Sequence, residues 1–163
     1  MARQDLVVSR VLEAPVDAVW RLWTDPELVR TWWGPAGYSA PRCEIDLRVG
    51  GRYLFCMRAP QEQGGQEYYS VGTYQKLVVG ERLEFTQSFA DAAGNILPAA
   101  EVGMPEMPDE VRTVVTFEAI DARVTLLTVT QFEQPTGQTF VYAVAGWNES
   151  FDKMSLSLLE ERW

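Results

Sequence analysis

The sequence predicts an α+β domain in which a curved, seven-stranded antiparallel sheet wraps around one long C-terminal helix. Three observations predict it. Seven segments carry strand patterns and are joined mostly by short turns, which makes neighbours in sequence antiparallel neighbours in space. Two short helical segments follow the first of them. Residues 139–161 then hold an apolar stripe, Phe140, Val144, Trp147, Phe151, Met154 and Leu158, spaced by three and four.

Residues 5–13 (DLVVSRVLE) are rich in β-branched side chains and read as a strand. Ala14-Pro15 ends it, and Pro15 suits the first turn of a helix, where its missing N–H costs nothing. Val16, Val19, Trp20 and Trp23 recur at helical spacing. Asp25 can cap and Pro26 can open a second short helix, continued by Leu28 and Trp32 and closed by Trp33-Gly34-Pro35.

Residues 42–49 alternate, with Arg42, Glu44, Asp46 and Arg48 on a wet face and Cys43, Ile45, Leu47 and Val49 on a dry one. Gly50-Gly51 turns the chain into residues 52–58. The glycine pair allows several loop lengths, so either Tyr53, Phe55 and Met57 or Leu54 and Cys56 point inward. Residues 67–79 form a strand broken or bent near Gly72. In residues 82–89, Leu83, Phe85, Gln87 and Phe89 share a face, and residues 111–120 and 124–132 make another hairpin around Asp121-Ala122. Residues 90–110 show no period, and so long a loop suits either a lid at a cavity mouth or an unstructured insertion. The final helix, at 1.5 Å per residue, is about 35 Å long and crosses a whole small sheet.

At 163 residues the chain is the size of one domain, with 47% apolar residues and six Trp to fill a core, cavity or interface. A net charge of −9 without a Lys/Arg cluster argues against nucleic acid and against an anionic membrane surface. No N-terminal apolar stretch and no membrane-spanning run appears, so a cytoplasmic location is expected. Cys43 and Cys56 lie in neighbouring strands, where they can face each other as a facultative disulfide or remain buried thiols. The chain has no His, and no metal site or other cofactor is expected from it.

The segments APVDAVWRLWTDPELVRTWWGP (14–35), EIDLRVGGRYLFCM (44–57), VGTYQKLVVGERLEFT (71–86) and AGWNESFDKMSLSLLEE (145–161) resemble the family named for activators of the heat-shock protein ninety ATPase. That family lies within the START-like (SRPBCC, birch-pollen-allergen-like) superfamily. The resemblance covers nearly the whole chain and implies a helix-grip fold with an internal cavity for hydrophobic ligands. Many single-domain relatives carry a His near the GW helix; here Thr139-Phe140-Val141-Tyr142 stand there, which removes His-dependent chemistry.

A curved sheet and one helix leave a concave apolar pocket, the usual form of a small-molecule site. Its expected lining is Trp33, Phe55, Met57, Tyr69, Val71, Phe85, Gln87, Val115, Phe117, Trp147 and Phe151. Gln87, Thr113 and Tyr69 are polar residues on apolar faces and need partners there, a ligand carbonyl or hydroxyl among them. Of Trp32 and Trp33, one indole is expected to staple the helices to the core and the other to border the cavity mouth. Three functions follow. The first is binding of a small hydrophobic molecule, lipid-like, polyketide-like or aromatic. The second is an enzyme of the cyclase, dehydratase or hydrolase type, which without His would need Tyr, Glu, Asp or Arg as its acid or base; Glu84 and Arg112 are expected to point outward. The third is a protein that stimulates a chaperone ATPase. An edge strand could also pair two copies into a homodimer.

Overall fold

The computed structural model describes residues 2–160. Its strands are β1 (Arg3–Leu12), β2 (Ser39–Ile45), β3 (Arg52–Arg58), β4 (Glu67–Val78), β5 (Arg82–Ala90), β6 (Val111–Asp121) and β7 (Val124–Pro135). The helices are α1 (Val16–Thr24), α2 (Pro26–Val29) and α3 (Gln138–Glu160). The strands form one antiparallel sheet in the order β1-β7-β6-β5-β4-β3-β2. The predicted α+β class, the seven strands and the long closing helix are all present; Glu161, the last residue of the predicted helix, lies outside the described residues.

Each helix is placed by the residues that its sequence singles out. Val19, Trp20, Leu22 and Trp23 of α1 are buried against the sheet, with the Trp20 ring meeting Phe117 edge-on at 5.1 Å. Asp25 accepts a hydrogen bond from the Glu27 N–H, and Pro26 opens α2. α2 is a single turn, so Trp32 lies beyond it. The Trp32 indole N–H donates to the Leu22 carbonyl at 2.7 Å and ties that turn to α1. The link from β1 to α1 is fastened to the start of β7, where the buried Thr125 hydroxyl donates to the Ala14 carbonyl.

Register settles what alternation leaves open. Tyr53 pairs with Gly72, Phe55 with Cys43 and with Ser70, so Tyr53, Phe55 and Met57 face α3. Leu54 and Cys56 face the other way, and Leu54 packs with Val71, Ala90 and Tyr69. β2 ends at Ile45, earlier than its alternation suggests. Beyond it, Asp46 and Gly51 accept and donate within a closed turn, and Leu47 and Val49 are exposed. The two cysteines therefore cannot meet: Cys43 pairs with Phe55 on the inner face and Cys56 with Arg42 on the outer. Burial pushes the Cys43 thiol up to about 12, against the pull of Arg30, and burial also raises Cys56. Both thiols should react with iodoacetamide at pH 8 far more slowly in native protein than in urea, and mild oxidation should form no intramolecular bridge. Fast native labelling, or a bridged species on a non-reducing gel, would contradict this placement.

Residues 91–110 are neither a lid over the inner face nor unstructured. The Asp91 carboxylate accepts from the Ala93 and Asn95 N–H groups and from the Asn95 side chain, closing a tight turn. That turn lies over the outer face, where the Arg42 and Arg52 guanidiniums donate to the Ala92 and Gly94 carbonyls. Further on, the Ala99 N–H donates to Asp109, and Glu106 accepts from Arg3 through its backbone and from the Thr139 hydroxyl through its carboxylate.

Candidate functional site

The space between sheet and helix is mostly filled. Trp20, Trp23, Trp32, Tyr53, Phe55, Tyr74, Phe85, Phe117 and Phe151 pack there, and the gap left among Trp23, Tyr53, Phe55, Tyr74, Leu83 and Phe85 is about 10 Å³. That is about the smallest space that admits one water. The expected hollow interior is thus corrected: aromatic side chains are large enough to close the middle of the grip. Among the described residues, the Trp23 indole N–H is the one buried side-chain nitrogen or oxygen without a hydrogen-bond partner.

A cleft remains at one end. It has a volume of about 460 Å³ and is open to solvent. Its walls are Trp32, Trp33, Gly34 and Pro35 after α2, Met57 of β3, Ser70 of β4, Gln87 and Phe89 of β5, Gln131 of β7, and the first half of α3 from Tyr142 to Ser150. Full burial on α3 begins only at Ser150; in its first turns Phe140, Ala143, Val144 and Trp147 pack against the core while half-buried, and the flank from Tyr142 to Glu149 faces the cleft. Other depressions lie on the outer face beside Arg42, Glu44, Asp46 and Arg52, where Arg42 is ion-paired with Glu44 and Arg48 with Asp46.

Of the residues expected to line a pocket, Trp33, Met57, Gln87 and Trp147 come together at this cleft. Phe55, Phe85, Val115, Phe117 and Phe151 are buried in the core behind it. Tyr69 and Val71 are on the opposite face of the sheet. Their register partners Cys56, Leu54, Ala90 and Ser88 all point away from α3. The Tyr69 hydroxyl donates to Glu67, whose carboxylate pushes it up to about 12. Glu84 also faces outward, bridging Arg82 and Arg112, which hold its carboxyl below the usual range.

The polar floor of the cleft is a connected network. The Trp147 indole N–H donates to Gln131 Oε1 at 3.0 Å. Gln131 Nε2 donates to Gln87 Oε1 at 3.1 Å and to Thr113 Oγ1 at 3.4 Å. Gln131 was not singled out by the sequence reasoning, although it follows Leu127 and Val129 in the same inward alternation that marks Gln87. It sits beside a bulge in β7, where Gln4 pairs with Gln134 but Leu6 with Gln131. There Glu133 adopts a positive φ of 54°, and its N–H is satisfied by Asp5. Among the described residues two ionisable side chains line the cleft, Tyr142 and Glu149; Glu149 Oε1 accepts from the Ala36 N–H at 3.1 Å. Periodicity places Glu149 on the wet side of α3, but the helix overhangs an open space, and its flank becomes a wall.

A twisted antiparallel sheet that grips a long helix, with an apolar cleft at one end, is the helix-grip architecture of START-like proteins. The chain belongs to the family described as "Activator of Hsp90 ATPase homolog 1-like protein" (AHSA1), which it matches over residues 13–158. No curated protein matches it. A protein of Chromobacterium violaceum is similar in structure, with 25% identity, a TM-score of 0.72, and 94% of this chain and 96% of that chain covered. An AHSA1 protein of Silicibacter pomeroyi shares 20% identity at a TM-score of 0.74, covering 98% of this chain and 100% of that one. A protein of Arthrobacter aurescens reaches a TM-score of 0.78 at 20% identity, over 99% of this chain and 92% of that one. At 20% identity these likenesses carry the fold alone. Among the described residues no helix is long and apolar enough to cross a membrane.

Proposed function

We propose that the protein binds a small, mainly apolar molecule in the cleft beneath the first half of α3, held between Trp33, Met57 and Trp147 with Gln87 at its floor. The volume suits a small-molecule site, and apolar walls with a few convergent polar groups are what such sites use. The family's description names an activator of a chaperone ATPase. A concave apolar cleft fits a compact guest better than a flat protein surface, so the cleft is taken as the working part.

The observation that carries this reading is Gly146. It stands in the middle of a 23-residue helix and lines the cleft, and a Cβ built on it would meet nothing within 4 Å. Glycine in a helix interior costs roughly 1 kcal/mol relative to alanine. No close packing requires it here. What its missing side chain provides is room in the cleft, a sacrifice of stability of the kind that marks a site.

Gly146→Ala should therefore raise stability by about 0.5–1 kcal/mol in urea denaturation. Gly146→Leu should fill the cleft while keeping a good helix former. Benzophenone and other neutral aromatic compounds should raise the melting temperature of the native chain, because ligands that bind only the folded state stabilise it. The same compounds should leave Gly146→Leu unmoved. No shift with the native chain, or an equal shift in the variant, would refute binding at this cleft.

A further inference from the structure

The hydrogen-bond network at the floor of the cleft fixes which polar group meets a guest. We infer that the cleft selects neutral molecules carrying a hydrogen-bond acceptor, such as a ketone, ester or ether oxygen, and discriminates against carboxylates. This deepens the binding reading above and rests on it.

The Trp147 indole N–H is a donor and nothing else. Placed 3.0 Å from the Gln131 side-chain amide, it requires the amide oxygen to face it. The Gln131 nitrogen must then point the other way, where its two hydrogens go to Gln87 Oε1 and Thr113 Oγ1. Because Gln131 offers only donors on that side, the Gln87 amide must present its oxygen to it; the reverse would set two NH₂ groups against each other. Gln87 is left with its own NH₂. No acceptor among the described residues takes a hydrogen bond from it, and Gln87 is half-buried in the cleft wall. One donor-only indole, read through two amides, thus leaves a pair of N–H groups for a guest.

Charge then limits which acceptor enters. Among the described residues no Lys or Arg lines the cleft, and Glu149 is the one charged residue that does. The nearby cations are committed elsewhere. Lys153 donates to the Gly34 and Tyr38 carbonyls at 3.0 Å, and Arg10 to Asp152 and the Asn148 carbonyl. A carboxylate guest would lose its water, find no counter-cation and share the cleft with Glu149. A carbonyl would lose one water and regain its bond from Gln87.

Three probes separate the possibilities: benzophenone, diphenylmethane and para-benzoylbenzoate. They share two aromatic rings and differ in having a neutral acceptor, none, or an added anion. In chemical-shift titrations of the full chain, benzophenone should bind about fivefold to tenfold tighter than diphenylmethane, as one neutral hydrogen bond allows. It should also bind tighter than benzoylbenzoate and move the Gln87 side-chain NH₂ signals. In Gln87→Leu the preference for the carbonyl should fall to about one. Gln87→Glu keeps an acceptor for Gln131 but, as a carboxylate, removes the donors; it too should lose the preference for benzophenone over diphenylmethane. Equal binding of benzophenone and diphenylmethane by the native chain would overturn the inference. So would a carbonyl preference that survives both variants, or tightest binding of benzoylbenzoate. If none of the three binds, the binding reading itself falls.

Discussion

Gly72→Ala is expected to destabilise the protein by at least about 3 kcal/mol, at the upper end of what overpacking costs. A Cβ at Gly72 would stand 1.8 Å from the Thr86 carbonyl oxygen and 2.5 Å from the Tyr53 ring. The first of these is backbone, in a strand paired on both sides, and it cannot step aside as a flexible side chain can. The reason for the close approach lies in the bonds around it. Between Val71 and Tyr74 the β4–β5 ladder gives way. The Thr73 N–H donates to the Thr86 hydroxyl at 3.0 Å, and the Thr86 carbonyl accepts from the buried Tyr53 hydroxyl at 2.7 Å. Two side chains thus satisfy groups that a regular ladder would pair with each other, and only a residue without a side chain leaves room for the Tyr53 ring between them. Burial pushes the Tyr53 phenol far above its ordinary range, with Tyr74 adding to it, so it stays a donor throughout the accessible pH range. Tyr53→Phe should isolate the hydrogen-bond part, costing about 1–3 kcal/mol for an unsatisfied buried carbonyl. Urea denaturation of both variants checks the order. A Gly72→Ala protein within 1 kcal/mol of the native chain would show that the sheet at this point is soft.

The same part of the sheet shows why some of the site was legible in the sequence and some was not. The inner face of β5 could be read directly, because Leu83, Phe85, Gln87 and Phe89 alternate with smaller or polar residues. β4 could not. Its inner row is Tyr68, Ser70, Gly72 and Tyr74, less apolar than its outer row of Tyr69, Val71 and Thr73. The outer row is apolar because residues 91–97 fold over it: the Leu97 N–H donates to Phe89, and Leu54, Val71 and Ala90 form a small second core beneath. Nothing local to β4 distinguishes a row buried by a helix from a row buried by a turn. Only the pairing with β3 and β5 does, and that put Tyr69 and Val71 on the far side from the cleft. Gln131 failed to stand out for a different reason. A lone polar residue at the end of an apolar alternation looks like the fraying of a strand until the bulge beside it and its bond from Trp147 are seen. The position of the open space was hidden too. Periodicity gives the inward face of α3, but where that helix leaves the sheet depends on how far the aromatic residues of α1 and β3 fill the grip.

Trp32 sits at the centre of that filling. Trp32→Ala should cost about 3–5 kcal/mol, the range for removing a fully buried aromatic side chain. Trp32 is 1% exposed, its ring lies 4.5 Å from Trp23 and 5.7 Å from Trp33, and Trp23 in turn stacks on Trp147 at 5.9 Å. The substitution removes the centre of this run of indoles and leaves the Leu22 carbonyl without its donor. In a domain whose whole stability is of order 5–15 kcal/mol, that is a large share, worth about 10 °C or more in melting temperature. Trp32→Phe keeps most of the packing and loses the hydrogen bond, and it should cost about half as much. The two variants also differ in what they do to the cleft. With Trp32 gone, Trp33 and Trp23 can relax into the void, Trp147 loses its stacked support, and the orientation of Gln131 that Trp147 enforces is no longer held. Stability and carbonyl preference should therefore fall together in Trp32→Ala. In Gln87→Glu the preference alone should fall. A Trp32→Ala protein that keeps the full preference for benzophenone would show that Gln131 is oriented by something other than this chain of rings.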